Sequence, residues 1–367
     1  MKPHRSRSLP VAALALALLA APGTTAYAVE RPHTHDEYVA RTADATAPGP
    51  LPVSGLPVGD PPKIAFAFAS KPEFGGGNWR LHRPDGSTLR LTRLTWSTWA
   101  PMGDGAIGMA GTEAGPELQR VTGTGRVHTR IVAHFGLAVS PDHEIVGWLG
   151  DHGAPHVVEG GGARHLTLPP VPHGRTVATI QGTATCEEQT PEGGGCTVFV
   201  NGARRVRVST SHGIVDTIGP MPEVSDVNQH GRVTGLVSRR TPDSRACWGV
   251  LRAGGHRVFR TCDYYLASFS PAGRRVLAER SQVRWASVRR FAVLARDGRV
   301  VRSWTFDPGA RRSLSQLTWE DDRHLLGVLR AHGRWGLVRI GTDGTVEYAG
   351  DPVATTDELT PYSLPLR

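Results

Sequence analysis

Seven times in 367 residues the chain repeats one short pattern: an alternating apolar and polar run, a turn bearing glycine, and a second alternating run. The best-preserved copy is RFAVLARDGRVVRSWTF, residues 290–306. The others are WRLHRPDGSTLRLT from Trp79, ELQRVTGTGRVHTRI from Glu117, PHVVEGGGARHLTL from Pro155, CTVFVNGARRVRVST from Cys196, CWGVLRAGGHRVFRT from Cys247 and WGLVRIGTDGTVEYAG from Trp335. Each places a glycine at the turn: Gly86, Gly125, Gly162, Gly202, Gly255, Gly298 and Gly344. Asn-Gly, Asp-Gly and Gly-Gly supply the positive φ that tight hairpins demand, so the copies read as β-hairpins on physical grounds.

A second element precedes many of them, a turn running into an apolar strand: APMGDGAIGMAG from Ala100, AVSPDHEIVGWLG from Ala138, DVNQHGRVTGLVS from Asp226, SFSPAGRRVLAER from Ser268 and TWEDDRHLLGVLR from Thr318. Two strands from this element and two from the hairpin make a four-stranded antiparallel unit. Such units, recurring about every forty residues, are the signature of β-propeller blades. One four-stranded sheet cannot cover both its faces, so the copies must cover one another. The expected fold is all-β, a seven-bladed β-propeller over residues 62–367. The ring should close between KIAFAFAS, from Lys63, and either the last blade near 345–349 or the tail from Thr360.

The turn-strand element resembles the SPDGxxLAF segment of the WD40-like repeats of TolB-type propellers, with SPDHEIVGWLG and SPAGRRVLAER the nearest copies. The hairpin resembles the LYVxDxDGGxxRxLT segment of the same family. The resemblance spans most of residues 62–353 and implies a fold more than an activity. The chain departs from TolB in having no α/β domain before the repeats and in having seven units where TolB has six. The repeats also resemble the propeller of prolyl oligopeptidase-type peptidases, but no Gly-x-Ser-x-Gly elbow accompanies them here.

Ahead of the repeats lie two other segments. Residues 1–28 carry Lys2, Arg5 and Arg7, then the apolar run LPVAALALALLAAP, then Ala26-Tyr27-Ala28, the order of a secretory leader cleaved after Ala28. Residues 29–61, rich in Pro, Ala and Thr, read as a flexible arm. No later run reaches the roughly 20 apolar residues of a membrane span. The expected product is a secreted or extracytoplasmic monomer. Export also sets the reading of the four cysteines, which should be oxidised. Cys247 and Cys262 flank the Gly254-Gly255 turn, and Cys186 and Cys196 flank EEQTPEGGG, so two local disulfides are expected.

The net charge of +9 includes the three leader cations, leaving +6 on the mature chain, nearly all of it arginine. The basic residues are spread along the chain without one dense run, which argues against nucleic acid as partner. Anionic cell-wall polymer or lipid head groups are the contacts that such a charge suits.

Residues able to do chemistry are few. No P-loop, dinucleotide fingerprint, His-Glu-x-x-His or paired zinc cysteines occur, and no metal or organic cofactor is expected. His33, His35, Asp36 and Glu37 in the arm lack a fixed third and fourth ligand. Asp151, His152 and His156 form the best local acid-base cluster, on a loop between strands. Trp96, Trp99, Trp285 and Trp319 could stack on sugars, though packing between blades is the commoner use of such side chains. Trp285, Arg289, Arg290, Arg311 and Arg312 have the composition of a contact surface. The sequence favours a non-catalytic propeller binding a protein, peptide or cell-envelope glycan through loops at one face. The alternative is a hydrolase or lyase with acidic and histidine residues at the central channel.

Overall fold

The computed structural model describes residues 48–366, apart from 74–75, 93–95, 114, 134–135, 160–163, 173, 183–185, 187–194, 203–205, 211–214, 219–220, 240–245, 253–254, 281–286, 310 and 355–358. Its strands form seven sheets, each with a core of four antiparallel strands, consecutive in the chain in six of them, and these are the blades of a seven-bladed propeller. Blade 2 spans 96–132, blade 3 137–167, blade 4 174–217, blade 5 223–261, blade 6 265–305 and blade 7 313–349. Blade 1 is composite: its inner strand is Tyr362–Ser363, paired antiparallel with Phe66–Glu73, and its outer strands follow to Thr92. Of the two expected closures the tail is therefore the one used.

The apolar alternation has a direct outcome in packing. Seven clusters of buried side chains join each blade to the next, from blades 1 and 2, where Leu81 and Leu91 meet Trp99 and Ala106, round to blades 7 and 1, where Leu326 and Leu337 meet Tyr362 and Leu364. Each blade thus covers both neighbours, as the repeat required.

Within a blade the strands run up and down, so two kinds of turn share one face and two share the other. The first-to-second turns and most glycine hairpins lie on what is here named the hairpin face. The second-to-third turns and the links between blades lie on the connection face. The SPD element gains its meaning at the hairpin face. In blade 3 the Ser140 amide donates to Ile145 O at 2.8 Å while Ile145 N donates back to Ser140 Oγ at 2.9 Å, and Asp142 Oδ1 accepts from Glu144 N. Ser270 with Arg275, and Asn228 with Arg232, repeat the exchange in blades 6 and 5. A short side-chain acceptor at the end of the inner strand closes the turn locally. Gly298 is fixed twice over: its φ is 89°, and a Cβ there would lie 2.6 Å from the Phe259 ring of the preceding blade.

Two departures from the repeat have physical causes. In blade 4 the Cys196 hairpin supplies the second and third strands rather than the last two, because Gly174–Gln181 precedes it as inner strand and Val215–Thr217 follows as outer strand. The expected flexible arm covers 29–61; of this, 48–61 are described, and they lie along the ring. Gly49–Pro50 pairs parallel with the outer strand of blade 6 and Val58–Gly59 with that of blade 7, while Leu51 and Val53 enter the core between those blades. The apolar residues of GPLPVSGLPVG act as anchors for two short edge strands. The leader and the His33, His35, Asp36 and Glu37 group lie outside the described residues.

Both disulfides are local. Cys247 joins Cys262 across the outer strands of blade 5, and Cys186 joins Cys196 at the mouth of the first loop of blade 4. Glu159 of blade 3, buried, accepts from Cys186 N at 2.6 Å and ties that loop to the neighbouring blade. Each short loop closed in this way contributes about 2–3 kcal/mol by chain entropy.

Candidate functional site

The inner strands converge on a central cavity of about 180 Å³. Its wall mixes small side chains such as Ala138, Ala178, Ala267, Ser225 and Ser268 with the larger Leu137, Val139 and Leu317, and Pro365 and Leu366 of the tail stand on one side. Glu279 and Tyr265 are the ionisable side chains of this wall among the described residues. The tail is stitched across the ring: Leu364 N donates to Gln316 Oε1 of blade 7 at 2.9 Å and Leu366 N to Trp99 O of blade 2 at 2.8 Å.

Beside the cavity, Asp226 joins three blades. Its Oδ2 accepts from Phe269 N of blade 6 at 2.6 Å, and its Oδ1 accepts from Val227 N at 2.8 Å and from Thr179 Oγ1 of blade 4 at 3.3 Å. Burial pushes the carboxyl up to about 7, although each of these donors opposes the shift. A folded pKa above the unfolded value means that the folded chain holds the proton longer. The stability linked to this group is fully present below about pH 4 and is lost as pH rises through about 7. Thermal melts across that interval should show the wild type weakening with pH and Asp226→Asn following a flatter course. An unchanged slope in the variant would assign the pH dependence elsewhere.

The structure separates the sequence candidates into two groups on the connection face, three blades apart. In blade 3, the 3-10 turn Asp151–Gly153 carries His152 exposed, with a left-handed φ of 61°. His156 opens the next strand and lies over Trp148, ring centroids 5.5 Å apart; His165 lies 5.3 Å from the same indole. His156 Nδ1 is 3.1 Å from His165 Nε2 and 3.1 Å from Thr167 Oγ1. Gly150 is the residue that allows this, since a Cβ there would sit 2.3 Å from His156 Nε2. The ring is thus engaged in a cross-strand stack. Among the described residues no group of three or more His, Cys, Asp or Glu is placed to hold a metal.

The second group is brought together at blades 6 and 7. Arg289 and Arg290 end the loop before the third strand of blade 6, and Arg311 and Arg312 end the link into blade 7. Phe306 N donates to Arg289 O at 2.8 Å and Val288 N to Leu314 O at 2.7 Å, which holds loop and link side by side. The propeller adds Arg280, Arg330 and Arg334, which the sequence alone did not single out. They stand at strand ends around tight or long connections, and only the ring places those ends together. Two exposed carboxylates, Asp307 and Asp351, share this sector.

Aromatic rings hold three of these cations. The Arg290 Cζ lies 5.5 Å from the Tyr264 ring, Arg312 Cζ 5.8 Å from Phe306 and Arg330 Cζ 5.3 Å from Trp335. A guanidinium held by its face keeps its edge N–H groups available for oxygen ligands. Trp285 lies outside the described residues. The remaining tryptophan candidates serve the core: Trp99 and Trp319 are buried and donate to Ser363 Oγ and Ser268 O, and half-buried Trp96 donates to Gln119 Oε1.

Among the described residues no helix is long and apolar enough to cross a membrane. No family model matches the chain, and no curated protein matches it. Solved structures similar to it include Hsv2 with one loop replaced by a Gly-Ser linker, at 9% identity and a TM-score of 0.45, covering 75% of this chain and 91% of that one. Another is Hsv2 of Kluyvelomyces marxianus, at 10% identity and a TM-score of 0.45, covering 72% of this chain and 86% of that one. A eukaryotic initiation factor is similar at 12% identity and a TM-score of 0.41, covering 86% and 92%. The seven-bladed assignment itself rests on the strand order and register of this chain.

Proposed function

We propose that the mature chain is an exported, non-catalytic propeller of the TolB-like kind that binds an acidic segment of a protein, peptide or envelope glycan. The contact is the connection face of blades 6 and 7, through Arg289, Arg290, Arg311 and Arg312. The single observation that carries this reading is the convergence of arginines from separate loops and strand ends on one sector, several stacked on aromatic rings. Arginine and aromatic side chains dominate binding surfaces because they combine area with directed charge. Two local disulfides suit an oxidising compartment, in keeping with cleavage of residues 1–28.

Polyglutamate, a polyuronate and polyphosphate are suitable probes. The charge-reversed Arg289→Glu, Arg290→Glu, Arg311→Glu variant should bind at least one of them roughly tenfold or more weakly than the wild type, and binding should fall as salt rises. Arg126→Glu, on the hairpin face of blade 2, is the control and should bind as the wild type does. Equal losses in both variants, or no binding of any acidic probe, would remove this reading.

A further inference from the structure

We infer that His156 and His165 of blade 3 form an open binding site for a divalent transition-metal ion, copper(II) foremost. The site lies three blades from the arginine contact face and is independent of it. Strand register brings the two rings to one side of one sheet. Trp148 pairs with His156 and His156 with Thr167, so these three stand in a row across the last three strands of the blade. His165 comes two residues before Thr167 on the outer strand, and the alternation of a strand puts it on the same side.

The rings meet through nitrogens, His156 Nδ1 lying 3.1 Å from His165 Nε2. Two imidazole nitrogens on one metal ion, each about 2.0–2.1 Å from it and set at square or tetrahedral angles, lie about 2.9–3.4 Å apart. The pair therefore already has the spacing of a chelate. The same spacing suits a hydrogen bond when one ring keeps its proton between them, and a bound ion displaces that proton to the remote nitrogen or to water. Thr167 Oγ1, 3.1 Å from His156 Nδ1, can donate to it, which favours the tautomer in which that nitrogen is bare. Gly150 decides which nitrogen is presented: a Cβ there would lie 2.3 Å from His156 Nε2, so Nε2 lies against the backbone and Nδ1 turns to His165.

Under both rings lies the buried Trp148 indole, with centroids 5.5 and 5.3 Å away and interplanar angles of 14° and 22°. An aromatic face there holds the imidazoles in place and favours the positive charge that an ion brings. His165 and Thr167 are exposed and His156 is half-buried, so the ion can enter from solvent. Among the described residues no carboxylate or thiolate joins them as a third ligand, and the remaining positions fall to water or to a donor brought by a partner. Imidazole ligands suit borderline ions, and among these copper(II) binds most tightly. Magnesium and calcium, which require several oxygen ligands, are not suited.

The test uses the full mature chain carrying His33→Ala and His35→Ala, because the arm holds imidazoles of its own. Calorimetric titration should give one copper(II) per chain, weaker binding of zinc(II) and no binding of magnesium. The electron paramagnetic resonance spectrum of the copper(II) complex should show two equatorial nitrogens. His165→Ala, an exposed change on an outer strand, and His156→Gln should each weaken copper(II) binding about tenfold or more and reduce the spectrum to one nitrogen. His256→Ala, exposed in the last hairpin of blade 5, should leave both readings unchanged. Copper(II) binding that neither blade 3 variant weakens, a spectrum without paired nitrogens, or an equal loss with His256→Ala would overturn the site and leave the 3.1 Å contact a hydrogen bond only.

Discussion

Arg339→Ala is expected to destabilise the propeller by about 3–5 kcal/mol, the usual cost of leaving a buried charge without its partner. Arg339 lies on the third strand of blade 7, inside the hairpin pattern WGLVRIGTDG, where alternation alone gives no warning of an ion pair. Its Nε and Nη2 donate to the two oxygens of Glu320, whose side chain is fully buried, and its Nη1 donates to Glu347. The hydrogen bonds that Arg339 donates to Glu320, helped by the one it donates to Glu347, raise the guanidinium pKa further above its ordinary value. The same carboxylate accepts from Lys63 N at 2.7 Å, and Arg339 Nη2 also donates to Pro61 O at 3.1 Å. The triad therefore fastens the chain entering blade 1 to the last blade. Alanine at 339 takes both guanidinium donors away from the fully buried Glu320 carboxylate. The double change Glu320→Gln, Arg339→Met should cost much less, since it removes both charges and keeps volume. Denaturant midpoints for the two variants decide the matter: a single variant within about 1 kcal/mol of wild type would show that the seam does not depend on this pair.

The fold was legible where its signal was local and repeated. A glycine turn between alternating strands needs only its own residues, so the seven hairpins could be read one at a time and the ring inferred from their number. Cys247 and Cys262 were readable for the same reason, since Trp248 and Thr261 inside them are cross-strand partners. Blade 4 was misaligned by one strand because GRTVATIQ is separated from its partner by the disulfide loop and carries no SPD-type turn. Gly49–Pro50, Val58–Gly59 and Tyr362–Ser363 are two-residue strands, too short for any periodicity, and their pairing is set by what the rest of the ring leaves unpaired.

The site was half legible. Arg289-Arg290 and Arg311-Arg312 are adjacent in sequence and draw the eye, whereas the two pairs come side by side only through the hydrogen bonds of Phe306 N to Arg289 O and Val288 N to Leu314 O. Asp226 reads as an ordinary turn residue, and its raised pKa comes from burial among three blades that no single segment reveals.

Removing residues 362–367 should cost about 3–6 kcal/mol, from the loss of two buried side chains at about 1.5–3 kcal/mol each, Tyr362 and Leu364. Tyr362 packs between Phe66 and Phe68, with centroids 6.3 and 5.1 Å away, and Leu364 is buried against blade 7. The backbone loses more than contacts. Ala67 and Phe68 would present an unpaired edge facing the channel, and Ala69 N would lose Pro361 O if the break frayed back one residue. Gln316 would be left worst placed. It is buried with a left-handed φ of 54°, its Oε1 accepts from Leu364 N, and its Nε2 donates to Tyr362 O at 3.4 Å. A strained, buried amide persists only while its surroundings hold it, so its two orphaned ends add to the cost. Tyr362→Ala in the full chain separates the terms: it removes the ring and keeps the strand, and should cost less than the truncation. The expected order of denaturant midpoints is wild type, then Tyr362→Ala, then the truncated chain. A truncated chain that unfolds with the wild-type midpoint and slope would mean that the ring holds without its closing strand, and that blade 1 is a three-stranded blade with an appended tail.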